Sequence, residues 1–141
     1  MKKTQIAGSV VAGFPSPAEQ YLEPHLDLNE LLVKHPAATY FVRVQGDSMI
    51  GRGIYDGDIL VVDRSLDPCD GDVVIAAVDG EFTVKTLSLS KGARRIENGG
   101  EIKLVAANPK YHDIILKSGQ ELNYFGKVTA CIHLFKKGIQ V

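Results

Sequence analysis

The chain has 141 residues, enough for one domain with a real core. Apolar residues make up 45% and charged residues 23%, close to the soluble globular average, and a formal net charge of −1 gives no overall pull toward nucleic acid or anionic membrane. No apolar run approaches the roughly 20 residues that cross a bilayer, and two cysteines without a CxxC pair and four scattered histidines make neither a disulfide framework nor a metal-ligand pattern.

Residues 1–26 are predicted to form an extended, flexible N-terminal arm, because they hold Pro15, Pro17 and Pro24 and the small-residue run "AGSVVAG". The apolar part of "MKKTQIAGSVVAGF" is too short and too interrupted by Gln5, Gly8 and Ser9 for an export signal. Cys69 and Cys131 are therefore expected as reduced thiols of a cytoplasmic protein. Residues 27–141 are expected to fold as one domain. It opens with a short helix over "DLNELLVKH", with Asp27 as N-cap, Glu30 three residues on, an apolar face of Leu28, Leu31 and Leu32, and Pro36 as the stop.

From Tyr40 the pattern changes to strands. "YFVRVQ" and "DILVVDR" are rich in β-branched residues and bounded by Gly/Asp turns. "DVVIAAV" and "EFTVKTLSL" flank Asp79-Gly80, which predicts a hairpin with a type I′ turn. Weaker strands are read at "RRIE", "IKLVAAN", "HDIILK" and "LNYFGKVTACIHLF". Short strands with frequent turns indicate a mainly β, antiparallel domain.

The stretch "GDSMIGRGIYDGD", residues 46–58, presents Ser48 at the end of a strand. A serine in Gly-Asp-Ser is far more often a turn residue than a nucleophile, and a nucleophile needs a base. None of His25, His35, His112 and His133 has a setting that marks it as that base. Lys85 is the better candidate. Period-2 alternation puts it on one face of its strand with Thr83, Leu87 and Leu89. Such a lysine either reaches water at a rim, the commoner fate, or is buried, which lowers its pKa by about 3–5 units and makes it a general base for serine. Arg52, beside Ser48, is read as a solvated loop residue.

"GDSM", "GIYDGDILVVD" and "GDVVIAAVDGEFTVK" together resemble the LexA/UmuD family of self-cleaving serine–lysine peptidases, and the spacing of Ser48 and Lys85 also fits that family. "GFPSPA", "HPAATYFV" and "VIAAVDGEFTVK" point to its UmuD branch. The resemblance implies a single signal-peptidase-like antiparallel β-domain with a flexible arm and one short helix. It implies Ser48 as nucleophile, Lys85 as general base, and backbone N–H groups near Ser48 as oxyanion donors. It places the scissile bond at Ala12-Gly13, directly before "FPSPA"; Ala7-Gly8 is a similar dipeptide without that sequel. Twelve residues precede Gly13, a shorter arm than the family carries.

The same resemblance implies a role in the bacterial SOS response. A RecA filament on single-stranded DNA would stimulate cleavage, and the processed homodimer would serve a UmuC-type Y-family polymerase in translesion synthesis. No cofactor, metal, membrane or sequence-specific DNA binding is expected. The alternative is the self-cleaving C-terminal domain of a LexA-type or phage-type repressor, which needs a DNA-binding domain before the cleavage site. A signal-peptidase-like enzyme would need a membrane anchor. In an inert binding module, changing Ser48 or Lys85 would alter nothing.

Overall fold

In a computed structural model the chain is described at Ala12 and over residues 26–90, 101–116 and 122–135. Most of the expected arm, including Gly13 and Ala7-Gly8, and the expected strand at "RRIE" lie outside the described residues; Ala12 itself is exposed. The chain divides between Lys34 and His35, and the two parts are taken separately.

In the first part, α1 covers Leu28–Leu32. Asp27 caps it as expected, its Oδ1 accepting from the N–H groups of Asn29 (3.0 Å) and Glu30 (3.3 Å). The helix is shorter than the sequence predicts and buries none of its residues. Val33 is already extended, its N–H closing on the Asn29 carbonyl. His35, which opens the second part, has φ −130° and ψ 83°, outside the helical region that a following proline disfavours.

Among the described residues the second part forms a seven-stranded sheet, mainly β and antiparallel as predicted. Its strands are β1 (Thr39–Arg43), β2 (Ile59–Asp63), β3 (Val73–Val78), β4 (Glu81–Leu89), β5 (Ile102–Val105), β6 (Ile114–Leu116) and β7 (Leu122–Ile132), in the spatial order β1-β2-β7-β3-β4-β5-β6. The β3–β4 hairpin turns on Asp79 (φ 50°) and Gly80 (φ 87°), both left-handed as a type I′ turn requires. All five residues of β2 are buried, which suits its run of Ile, Leu and Val. The core forms two clusters. One gathers Val44, Met49, Ile54, Leu60, Val62 and Ile75; the other gathers Val74, Ala76, Leu87, Leu89 and Leu104.

Two expected strands end early for local reasons, and a third begins late. β5 stops at Val105 because Ala107 and Asn108 turn toward the loop after β1. β6 begins at Ile114 rather than His112, and the expected last residue, Lys117, lies outside the described residues. β7 ends at Ile132, and His133 leaves the strand to meet Asp58. At Gly126 of β7 a Cβ would lie 2.5 Å from a methyl carbon of Val62, so the close approach of β7 to β2 requires glycine there.

Candidate active site

The loop after β1 holds Ser48 by its neighbours on both sides. Gly46 takes φ +94° and donates its N–H to Asp56 Oδ1 at 2.7 Å. Met49, 1% exposed, sinks into the first core cluster, and its carbonyl accepts from the N–H groups of Arg52 and Ile54. Ser48 is thus left at the surface of the core, beside an open cleft of about 280 Å³ between β1 and β4. Val42, Val44, Leu60, Ile75 and Phe82 give that cleft apolar walls, and Ser48 and Lys85 line it as well.

Lys85 comes from the middle of β4, where buried residues alternate as Lys85, Leu87, Leu89. Of the two fates open to it in the sequence, the structure shows burial: the residue is only 8% exposed. Its Nζ lies 3.0 Å from Ser48 Oγ, 2.8 Å from Thr83 Oγ1 and 3.1 Å from the Val84 carbonyl. No carboxylate among the described residues forms an ion pair with it. Burial without a counter-charge disfavours the ammonium, so the Lys85 pKa is lowered from its ordinary value.

Nζ donates to Ser48 Oγ, Thr83 Oγ1 and the Val84 carbonyl, one acceptor for each N–H of an ammonium. Loss of one proton leaves two donors for Thr83 and Val84 and a lone pair able to accept from the Ser48 hydroxyl. Among the described residues the N–H groups of Ser48 and Met49 donate to no other group, so they are available to an oxyanion.

The loop is also held from a distant turn that the sequence reading did not single out. The Asn108 side-chain amide donates to the Asp47 carbonyl at 2.9 Å, and the Tyr111 hydroxyl donates to Asp47 Oδ1 at 2.5 Å. The Ala107 N–H donates to the Ser48 carbonyl at 2.8 Å, and Gly51 N–H returns a bond to the Ala107 carbonyl at 2.7 Å. A Cβ on Gly51 would meet that same carbonyl oxygen at 2.7 Å. The one local signal was the Asn-Pro turn in "ANPKY".

The histidines are placed elsewhere. His35 meets Asp63 Oδ2 at 2.6 Å and His133 meets Asp58 Oδ1 at 2.5 Å; His112 is exposed, and His25 lies outside the described residues. Burial would raise the pKa of Asp58, but bonds from the Tyr55 N–H, His133 and Cys131 outweigh it and leave the pKa lowered. Cys69 and Cys131 are free thiols, and burial beside Asp58 pushes Cys131 up to about 12, far from a reactive thiolate. Arg52, expected to be solvated, is exposed and reaches Thr86 Oγ1 at 3.2 Å.

Residues 5–129 match the Peptidase S24-like family. The chain is 48% identical over 122 residues to Protein SamA of Salmonella typhimurium, a match covering 86% of this chain and 79% of SamA. It is 55% identical over 80 residues to Protein MucA of Escherichia coli, covering 57% of this chain and 55% of MucA. It is 39% identical over 116 residues to the LexA repressor of Xylella fastidiosa, covering 82% of this chain and 51% of that repressor.

Proposed function

This chain belongs to the Peptidase S24-like family, and on that premise we propose that it is a UmuD-like protein that cuts its own arm between Ala12 and Gly13 with Ser48 and Lys85. The observation that carries this reading is the 3.0 Å contact between Lys85 Nζ and Ser48 Oγ in a site where burial favours the neutral amine. Neutral Lys85 takes the Ser48 proton as Oγ attacks the Ala12 carbonyl. Backbone N–H groups at Ser48 hold the oxyanion. The intermediate collapses with the Lys85 ammonium returning its proton to the Gly13 nitrogen, which frees the chain from Gly13 onward. Water, deprotonated by Lys85, then hydrolyses the acyl-serine, releases residues 1–12 and restores the hydroxyl.

The arm, residues 1–26, is the regulated element in this account, and the domain from residue 27 is the peptidase. A RecA filament on single-stranded DNA stimulates the cut by favouring the state in which the arm occupies the cleft. The processed chain acts as a cytoplasmic homodimer and as accessory subunit of a UmuC-type translesion polymerase. The test is to add RecA, nucleotide and single-stranded DNA and to follow loss of residues 1–12. Faster loss with the complete filament supports the reading; an unchanged rate removes RecA from it. Retention of a UmuC-type polymerase by the processed chain, and not by the uncut chain, tests the second half.

Likeness to the LexA repressor supports a second reading, in which this is the self-cleaving part of a repressor. The longer match to SamA, at higher identity and over more of that protein, favours the first.

A further inference from the structure

The Ser48 loop receives hydrogen bonds from a turn some 60 residues further on, and those bonds fall on the peptide units that would carry the oxyanion donors. In a planar trans peptide the C=O and the following N–H point in opposite directions. The carbonyl of Asp47 belongs to the same unit as the N–H of Ser48. Holding that carbonyl with the Asn108 amide at 2.9 Å therefore fixes the direction of the Ser48 N–H. The carbonyl of Ser48 shares its unit with the N–H of Met49, and the Ala107 N–H holds it at 2.8 Å.

Asn108 is well set for this role. It is 7% exposed, and its Oδ1 accepts from the Lys110 N–H at 3.0 Å, so the side-chain NH₂ is the end left to face Asp47. Tyr111 fixes the Asp47 side chain from the same turn. An oxyanion donor is effective when it is aimed before the charge develops, so a loop held at both carbonyls suits the chemistry.

We infer that Asn108, assisted by Tyr111, is a positioning residue that aims the Ser48 N–H into the oxyanion site. This rests on Ser48 acting as the nucleophile. Asn108 itself touches no reacting atom. Its loss should lower the rate of the bond-making step while leaving the protonation of Lys85, on a different strand, unchanged.

The test is the self-cleavage rate of the full chain across neutral to alkaline pH, followed by intact mass, for the parent, Ser48→Ala, Asn108→Asp, Asn108→Ala and Tyr111→Phe. Asn108→Asp keeps the size and the bond from Lys110 but turns an oxygen toward the Asp47 carbonyl; Asn108→Ala only deletes the donor. Tyr111→Phe changes an exposed residue, so at least one variant is expected to fold. The expected result is a plateau lowered about tenfold or more in the Asn108 variants and less in Tyr111→Phe. The pH midpoint and melting temperature of each folded variant should stay near the parent's. Folded variants that cleave within about twofold of the parent, or whose loss is a shifted midpoint, overturn the inference. If the parent cleaves and Ser48→Ala does not, such a result removes only the role of Asn108. If Ser48→Ala cleaves as fast as the parent, or the parent does not cleave, the Ser48 reading falls and this inference with it.

Discussion

Lys85 Nζ lies 3.0 Å from Ser48 Oγ although the serine belongs to the loop after β1 and the lysine to the middle of β4, and the lysine is only 8% exposed. That burial has two consequences of opposite sign. It readies the amine to act as a base, and it penalises the folded state whenever the amine is charged.

The pH dependence follows. With its pKa lowered in the folded state, Lys85 binds its proton more weakly folded than unfolded. Stability from this group therefore rises with pH between the folded and unfolded pKa values, and the penalty is complete below the folded one. Self-cleavage should rise with pH, with a midpoint below the ordinary lysine value of about 10.4. Lys85→Met should abolish cleavage yet melt no lower than the parent at neutral pH, an advantage that shrinks as the pH is raised. Lys85→Arg, which cannot give up its proton, should also be inactive. Rate–pH profiles and thermal melts check all three.

Thr83 tests how the base is oriented. Thr83→Val removes the hydroxyl that accepts from Lys85 at 2.8 Å, a bond worth about 1 kcal/mol, or roughly fivefold in rate. Thr83→Ser keeps the hydroxyl and should cleave at close to the parent rate. Single-turnover cleavage of the two variants, side by side, is the measurement.

Asp58 and Asp63 bracket β2, and both have pKa values lowered in the fold. At Asp63 the Ser65 hydroxyl is the leading cause, and His35 adds to it. Groups of this kind stabilise the fold above the unfolded carboxylate value near 3.9, and the contribution is lost as pH falls through the folded value. Denaturant unfolding from neutral to acid pH should show stability falling in that range, with a smaller fall in Asp58→Asn. Asp58→Ala, which strands the Tyr55 N–H, should cost about 2 kcal/mol at neutral pH.

Gly51→Ala should injure both stability and cleavage. The added methyl meets the Ala107 carbonyl oxygen at 2.7 Å, the atom that accepts the Gly51 N–H. Parting the two loops should cost about 1–3 kcal/mol in denaturant unfolding. Cleavage by the folded fraction should slow as well.

The strands were legible where the local code is strong. Asp79-Gly80 announced its hairpin, and the β-branched runs of β2 and β3 announced strands, though not that the sheet would bury them. Alternation in β4 put Lys85 among Leu87 and Leu89, but alternation alone favoured a rim lysine over a buried one; neighbouring strands decide that. The length of α1 was overestimated because Leu28, Leu31 and Leu32 look like a packed face, yet none is buried. Asn108 and Tyr111 were missed because their partner, Asp47, is remote in sequence, and no short-range pattern encodes a bond that only the closed sheet creates.

The central claim is tested most directly by the intact mass of the purified chain after incubation at neutral and alkaline pH, beside Ser48→Ala and Lys85→Ala. Loss of residues 1–12 is expected in the parent, faster at alkaline pH, with both variants left whole. An uncut parent, a cut at another bond, or equal cutting in either variant would contradict it.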